Sequence, residues 1–276
     1  MLIVELNNLS LLNSLAKAFL IGVKGYSSEC FKKFELEEVK EIIKRIKKDQ
    51  KLAYIDLTQI YHDSDLLNVK NIIDELKEAD GFFYFDLGIM EFIDEDKRIY
   101  YAPTYMTNQY DIDLALLENK LVLVSPELSL LELNRIKYSD SLILHAFGPW
   151  EIFHSRRPLI SNYFKYRNQN FDAFAKYHVI EEFRSDKYPI VEENGTKIYL
   201  NGFFYLGKEL DNKTSNLLIK TFDLDESLAN KVVEIYSTYQ NNKTFDIEKA
   251  LIELGLDLNK GLLYEESVLR KGGCNE

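Results

Sequence analysis

The stretch LEEVKEIIKRIKKDQKLAYIDL, residues 36–57, joins one helix to one strand and decides the fold. Apolar residues recur every three or four positions in its first part, at Leu36, Val39, Ile42, Ile43 and Ile46. This spacing predicts an amphipathic helix with one apolar face. The run that follows, Leu52–Leu57, is apolar at most positions, as strands are when both of their faces are buried in a parallel sheet.

The same alternation of strand and helix recurs along the chain. Buried strands are predicted at Leu2–Leu6, Ala18–Val23, Leu52–Leu57, Gly81–Leu87, Ile99–Pro103, Lys120–Ser125, Ser141–Phe147 and Asn216–Phe222. Parallel strands joined by right-handed helical crossovers fit this order. Eight such strands favour a single closed (β/α)8 barrel of the TIM type. An open doubly wound sheet remains the alternative, because periodicity alone does not distinguish the two.

The alternation is interrupted before the eighth strand by a long insertion, Gly148–Tyr205. Within it, the segment YPIVEENGTKIYL, residues 188–200, predicts a β-hairpin. Its Asn194-Gly195 step suits a tight turn whose residues have positive φ angles.

Two helices are predicted after the last strand, at Leu228–Tyr239 and Ile247–Leu254. We therefore expect one domain over residues 1–276, with the barrel at about 1–235 and a C-terminal helical cap at about 236–276.

Composition narrows the range of partners and compartments. The chain has a formal net charge of -11 at pH 7, which disfavours strong direct binding of nucleic acid because phosphate contacts need clustered Lys and Arg. Cys30 and Cys274 form neither a metal-ligand pattern nor a disulfide framework. The N-terminus lacks the pattern of a signal peptide, and no stretch of about 18 apolar residues occurs. We therefore expect a cytoplasmic protein with no membrane partner.

The candidate site lies where barrel enzymes place their chemistry, at the carboxyl ends of the strands. The polar residues at or near those ends are Glu5, Lys24, Asp56, Asp86, Thr104, Glu127, His145 and Lys220. Such a mixture suits general acid–base chemistry or a hard cation, so Glu127, His145 and Asp86 are the catalytic candidates. A polar residue in such a position can equally cap a helix. No Gly-x-Ser-x-Gly, His-Glu-x-x-His or glycine-rich phosphate motif occurs.

Four blocks of sequence carry a family resemblance. They are YAPTYMTNQYDIDLA (101–115), LVLVSPELSLLEL (121–133), LILHAFGPWEIFHSRRPLISNYF (142–164) and FRSDKYPIVEENGTKIYL (183–200). Together they resemble the collagenase-like peptidase family, and the 142–164 block resembles its signature. The resemblance implies a barrel domain. Many members carry a peptidase label without an assigned catalytic type. Others act in oxygen-independent hydroxylation, of the transfer-RNA wobble uridine or of ubiquinone precursors, and use cysteines to hold an iron–sulfur cluster.

The chain departs from the cysteine-containing members of that family. Glu151 and Pro158 stand where those members have signature cysteines, and two cysteines cannot ligate a four-cysteine cluster. We therefore expect no iron–sulfur cluster and no other cofactor, while a need for a divalent metal stays open. The chain resembles the shorter, cysteine-poor member of the paired proteins that many bacteria carry. This resemblance implies a longer paralogous subunit as a partner.

The signature block also supplies candidates for substrate binding. Ser155, Arg156 and Arg157 form a polar, cationic segment, and adjacent arginines suit a carboxylate or a phosphate. Asn108 and Arg184 are added from the neighbouring blocks. Arg157 is the arginine whose removal is expected to weaken ligand binding first. Solvated surface charge is the alternative reading of these arginines.

Three functions follow as hypotheses. The first is a peptidase-like hydrolase of unassigned catalytic type, in which Glu127 and His145 polarise a water molecule. The second is an accessory subunit of a complex that hydroxylates the wobble uridine of transfer RNA, which the missing signature cysteines favour. The third is a binding module for a peptide or a small anionic ligand, held by Arg156 and Arg157 at the mouth of the barrel.

Overall fold

The computed structural model describes most of the chain. The described residues are 1–102, 106–173, 175–180, 182, 186–193, 195–211, 213 and 216–265.

The described chain forms fifteen strands. They are β1 (Leu2–Glu5), β2 (Ala18–Val23), β3 (Lys33–Phe34), β4 (Leu52–Leu57), β5 (Gly81–Tyr84), β6 (Arg98–Tyr100), β7 (Leu121–Val124), β8 (Leu142–Gly148), β9 (Glu151–Ser155), β10 (Tyr177–Ile180), β11 (Lys187–Glu192), β12 (Thr196–Tyr199), β13 (Phe203–Tyr205), β14 (Asn216–Ile219) and β15 (Leu258–Asn259).

Eight of these strands close a parallel barrel in the order β1-β2-β4-β5-β6-β7-β8-β14. Closure is direct, because β14 pairs in parallel with β1 on one side and with β8 on the other. The predicted barrel is therefore confirmed with all eight of its predicted strands. The open sheet is ruled out, since a sheet with both of its end strands paired to one another has no free edge.

The described helices lie between and after the strands. They are α1 (Leu36–Lys48), α2 (Leu66–Glu75), α3 (Gln109–Glu118), α4 (Leu130–Leu133), α5 (Leu159–Tyr166), α6 (Glu226–Asn241) and α7 (Ile247–Glu253), with 3-10 turns at Leu9–Asn13, Leu87–Phe92, Glu95–Lys97 and Lys208–Leu210. The two predicted closing helices are confirmed as parts of α6 and α7. None of the helices in the described residues has the length and apolar character needed to cross a bilayer.

Two apolar layers surround the barrel wall. The inner layer fills the barrel itself with Ile3, Ala18, Leu20, Cys30, Tyr54, Phe83, Ile99, Tyr101, Leu121, Leu123, Ile143 and Leu218. The outer layer lies between the strands and the helices, where Val39 and Ile42 of α1 share a cluster with Ile55 of β4. Strands buried between two such layers read as nearly continuous apolar runs, which is why the sequence revealed them.

The inner face of the barrel becomes polar at its carboxyl end. Side chains alternate between the two faces of a strand, so the residue two positions after an inner apolar residue also faces inward. On four strands these pairs are Ile3 and Glu5, Tyr54 and Asp56, Ile143 and His145, and Leu218 and Lys220. All four polar members are buried. The interior of the barrel is therefore apolar except at the carboxyl ends of its strands, where it is charged. We call this charged end the mouth of the barrel.

The insertion before β14 builds a second sheet next to that mouth. Its four antiparallel strands run in the order β10-β11-β12-β9. The predicted hairpin is confirmed, since β11 pairs with β12 with Ile190 opposite Ile198 and Glu192 opposite Thr196. Asn194 of its turn lies outside the described residues. β13 then returns the chain to the barrel by pairing antiparallel with β8.

Candidate functional site

A buried carboxylate, Glu29, lies at the centre of the barrel mouth. It belongs to the loop between β2 and β3, and its side chain is 8% exposed. Its Oε2 is 2.7 Å from Nζ of Lys220 and accepts a hydrogen bond of 2.9 Å from the hydroxyl of Tyr101. Its Oε1 is 3.1 Å from Nζ of Lys197 on β12. Glu29 therefore joins the barrel to the inserted sheet.

Lys197 extends this network into the inserted sheet. Its Nζ forms an ion pair of 2.5 Å with Oε2 of Glu151 on β9, and it donates to the carbonyl of Ser28 at 2.8 Å. Oε1 of Glu151 lies 3.1 Å from Nδ1 of His154. We call Glu29, Lys220, Lys197, Glu151 and Tyr101 the mouth network.

The charges of the mouth network stabilise one another. Burial alone raises the pKa of Glu29, but the two neighbouring ammonium groups outweigh it and hold that pKa well below its usual range. Burial lowers the pKa of Lys220 and of Lys197, but Glu29 together with the other acidic groups nearby more than offsets this, so both pKa values are raised. Glu29, Lys197 and Lys220 are therefore charged near neutral pH, whereas burial raises the pKa of Tyr101, which remains a neutral hydroxyl donor.

Two further buried carboxylates hold the loop that carries Glu29. Asp56 on β4 accepts from the backbone N–H of Glu29 at 3.0 Å and of Cys30 at 2.7 Å. Glu5 on β1 accepts from the N–H of Phe31 at 2.8 Å. Burial raises the pKa of Glu5. These two strand-end acids thus act as anchors for the loop between β2 and β3.

A cavity of about 290 Å³ lies beside the mouth network. Its polar wall carries four basic side chains, Lys33, Arg156, Lys197 and Lys220, beside the carboxylates of Glu29 and Glu193 and the imidazoles of His62 and His154. Another part of the wall is aromatic, formed by Phe31, Tyr199 and Phe222. Phe31 and Phe222 stack with ring centroids 4.0 Å apart, and Phe31 remains 53% exposed. The cavity therefore offers both basic side chains and an accessible ring face.

Arg156 reaches this cavity from the inserted sheet. Its Nη2 lies 2.7 Å from Nε2 of His62, in the loop after β4. In the described chain its guanidinium forms no ion pair with a carboxylate. Arg157, the next residue, is exposed and does not line the cavity.

No hydrogen bond or ion pair joins the three catalytic candidates to one another in the described chain. His145 lies inside the barrel on β8, edge-on to Phe204 at 5.6 Å between ring centroids. Asp86 follows β5 and accepts from the backbone N–H of Tyr61 and of Gly88, both at 2.9 Å. Glu127 follows β7, and burial raises its pKa. Its carboxylate forms no hydrogen bond or ion pair with another described residue.

The remaining binding candidates have local structural partners. Asn108 caps α3, since its Oδ1 accepts from the N–H of Asp111 at 3.1 Å. Ser155 ends β9 and its Oγ accepts from the N–H of Arg157 at 3.1 Å. Arg184 lies outside the described residues.

Sequence reasoning missed most of the mouth network. Tyr101 follows the inner residue Ile99 by two positions, so the period of a strand could have identified it. Glu151 was noted only as the replacement of a cysteine. Glu29 and Lys197 lie in a loop and in a hairpin, where no local pattern marks a residue that points to a barrel.

The residues present do not fit an iron–sulfur cluster. Cluster ligation needs thiolates, and at the two signature positions Glu151 is engaged with Lys197 while Pro158 offers no side-chain donor. Cys30 is buried, and burial raises the pKa of its thiol. Among the described residues, no group of three or more His, Cys, Asp or Glu side chains is arranged to hold a metal ion.

His145 makes stability depend on pH in a predictable direction. Burial and the charge of Lys220 lower its pKa to about 3, and its Nε2 has no hydrogen-bond partner in the described chain. The unfolded chain takes up this proton near pH 6.5 and the folded chain does not, so the free energy of unfolding decreases as the pH falls from about 6.5 towards 3.

We therefore expect the wild type to lose about 2 kcal/mol more than His145→Asn between pH 7 and pH 5. Urea unfolding at the two pH values measures this difference. His178→Asn is the matched control, since His178 is exposed on β10. Equal pH dependence in wild type and His145→Asn would show that His145 accepts a proton in the folded protein.

The fold and the mouth together define a class of protein, a closed (β/α)8 barrel whose charged mouth is joined to an inserted antiparallel sheet. Residues 7–219 match the family described as Peptidase family U32. The chain belongs to this family, as the resemblance of its signature block predicted.

Two known proteins illustrate the relationship. The chain is 26% identical over 205 residues to the tRNA hydroxylation protein P2 of Bacillus subtilis (strain 168), across 69% of this chain and 66% of that relative. The chain thus spans slightly less than two thirds of that relative. A solved structure titled as the U32 peptidase Mk0906 matches with a TM-score of 0.53 and 12% identity, over 81% of this chain and 94% of that one. At this identity the likeness supports the fold alone.

Proposed function

We propose that this chain takes part in tRNA hydroxylation and that its barrel mouth receives one unpaired nucleotide. The observation that carries the proposal is the cavity at the mouth, which combines a polar wall that carries basic side chains with an accessible aromatic wall. Its volume of about 290 Å³ lies near the lower end of small-ligand sites, which span about 300–1,000 Å³. The name of the relative from Bacillus subtilis supports the same process.

The aromatic wall suits an unstacked base. Proteins that recognise single-stranded RNA stack its bases on exposed aromatic rings. Phe31 presents such a ring and is held by its own stacking on Phe222. A ring that is already ordered loses little entropy when a base stacks on it.

The basic side chains of the polar wall suit the phosphate of the same nucleotide. Lys197 and Lys220 are engaged with Glu29, and Lys33 is paired with Glu193 at 2.7 Å. Among the described residues the guanidinium of Arg156 contacts only the imidazole of His62, so its fork of donors is available to a phosphate. The net charge of -11 leaves little attraction for RNA elsewhere, and we propose that a longer subunit of the same family supplies further RNA contacts.

Peptide hydrolysis is the competing function, and the family description supports it. The arrangement of the candidates supports it less well. His145 is held neutral inside the barrel, Asp86 caps a turn, and no hydrogen bond joins Glu127 to either of them in the described chain. A water molecule activated by one of them would lack the help of the others.

Arg156→Ala and Phe31→Ala are expected to weaken binding of a tRNA anticodon stem-loop about tenfold, since base stacking alone contributes about 1–3 kcal/mol per base. Arg157→Ala is the matched control, because it removes the same charge one residue away from the cavity. Fluorescence anisotropy measures the affinity. Mass spectrometry of tRNA nucleosides, in a strain whose own gene copy is replaced by each variant, measures hydroxylation.

Deletion of the gene is expected to lower the amount of hydroxylated nucleosides in tRNA. Of the three variants, only Arg157→Ala should restore that amount as fully as the wild type does. Unchanged hydroxylation after deletion would overturn it. Release of new amino termini from denatured collagen by the purified chain, lost in Glu127→Gln or His145→Asn, would establish the hydrolase instead. Equal effects of Arg156→Ala and Arg157→Ala would show that surface charge, and not the cavity, matters.

A further inference from the structure

Helix α3 is apolar on both of its faces. Its inner face packs on the barrel through the buried Ile112 and the partly buried Ala115 and Leu116. Its outer face carries large apolar side chains in solvent at the spacing i, i+4, i+7. They are Tyr110, Leu114 and Leu117, which are 88%, 68% and 76% exposed.

The outer face of helix α1, which also covers the barrel, does not look like this. On α1 the outward positions carry charges, which pair along the helix as Lys40 with Glu37 and Lys44 with Glu41. Single exposed leucines are ordinary on protein surfaces, but a helix with apolar stripes on two opposite sides normally buries both of them. In the described chain nothing covers the outer face of α3.

Acidic residues border this apolar stripe on both sides. By the 100° rotation per residue of a helix, Asp113 lies on one side of the stripe, and Asp111 and Glu118 lie on the other. Helix α3 contains no Lys or Arg. Glu118 remains 61% exposed although Arg98 lies 3.7 Å from it. The stripe is therefore an apolar seam between two acidic rims.

We propose that the outer face of α3 docks an amphipathic helix of a different polypeptide, whose apolar stripe is flanked by Lys or Arg. An i, i+4, i+7 stripe is the pattern by which helices pack side by side or enter grooves. Basic flanks on the partner would meet the acidic rims, and complementary charges of this kind set partner choice and orientation.

A second copy of this chain fits the same face poorly. In a two-fold symmetric contact between two copies of α3, the helices run either antiparallel or parallel. If they are antiparallel, each rim faces the same rim of the other copy; if they are parallel, the Asp113 rim of one copy faces the Asp111 and Glu118 rim of the other. Both rims are acidic, so carboxylates would face carboxylates in either case. The charge pattern therefore favours a different polypeptide over a second copy of this chain.

The docking face is independent of the proposed function. Helix α3 lies on the outside of the barrel between β6 and β7, and none of its residues lines the cavity at the mouth. Variants of Leu114 or Leu117 thus test docking without altering nucleotide binding, and failure of either proposal leaves the other intact.

The experiment uses two synthetic amphipathic helices with the same leucine stripe, one flanked by Lys and the other by Glu. Calorimetry at low salt is expected to detect binding of the Lys-flanked peptide at least about tenfold more tightly than the Glu-flanked one, because rim charges set specificity. The double variant Leu114→Ala, Leu117→Ala should weaken that binding about tenfold or more, since few central side chains carry most binding energy. Leu67→Ala, an equally exposed leucine on α2, is the matched control.

Charge reversal gives a second, independent readout. Asp113→Lys should reduce the preference for the Lys-flanked peptide while leaving the melting temperature unchanged, because Asp113 is exposed and forms no ion pair in the described chain. Equal binding of both peptides to the wild type, or binding unaffected by the leucine variant, would overturn the proposal. Concentration-dependent dimerisation of the wild type that the leucine variant abolishes would also overturn it, in favour of a second copy.

Discussion

Replacing Glu29 by glutamine is expected to lower the free energy of unfolding by about 3–5 kcal/mol, the cost of leaving buried charges without their counter-ion. The substitution removes the only charge shared by Lys197 and Lys220 in the described chain, and these lysine side chains are 10% and 4% exposed. Lys197 would retain Glu151, whereas Lys220 would keep no carboxylate partner among the described ion pairs. Urea unfolding at pH 7 measures the loss.

The exposed pair of Lys44 and Glu41 on α1 supplies the control. Their side chains are 62% and 70% exposed, so Glu41→Gln should leave the free energy of unfolding nearly unchanged. If Glu29→Gln were as mild as this control, the mouth network would be a solvated ion pair and not a buried one.

The direction of the pH effect follows from the depressed pKa of Glu29. A carboxylate with a lowered folded pKa stabilises the folded state above its unfolded pKa, about 4.3, and this stabilisation is lost as the pH falls towards the folded value. The gap between wild type and Glu29→Gln should therefore narrow below about pH 4.3. A gap that widened in acid would contradict this assignment.

Gly148→Ala is expected to destabilise the protein by about 3 kcal/mol or more, because it combines backbone strain with a steric clash. Gly148 ends β8 with φ +123°, a conformation that L residues rarely adopt. An added Cβ would lie 2.3 Å from the carbonyl oxygen and 2.7 Å from Cβ of Lys220. Relief of the clash would have to move the backbone that positions Lys220 beneath Glu29.

Gly255→Ala separates the two contributions. Gly255 also has a positive φ, +72°, but an added Cβ there has no atom within 4 Å. It should cost about 1 kcal/mol through the backbone alone. Thermal and urea unfolding of both variants measure the difference. Equal losses in the two variants would show that β8 and β14 can separate locally without cost.

The sequence by itself determined the eight strands and the helices that cover them, whereas closure into a barrel was decided by the pairing of β14 with both β1 and β8. Strands buried on two faces must be apolar along their length, and helices that cover them must be apolar on one side, so both periods are visible in short windows such as Leu36–Leu57. The same reasoning identified the hairpin of β11 and β12 and the acids at the ends of β1 and β4. Each of these features depends on residues close together in the chain, so a short stretch of sequence is enough to predict it.

Only the tertiary structure decided which polar residues meet. Glu29 and Lys197 are 168 positions apart and Glu29 and Lys220 are 191 apart, and their contacts depend on closure of the barrel and on where the inserted sheet lies. It likewise distinguished Arg156, which lines the cavity, from Arg157, which does not. Arg156 and Arg157 are adjacent and carry the same charge, so the sequence does not distinguish them. In the folded chain their side chains have different surroundings, and no local sequence pattern encodes which of the two faces the cavity.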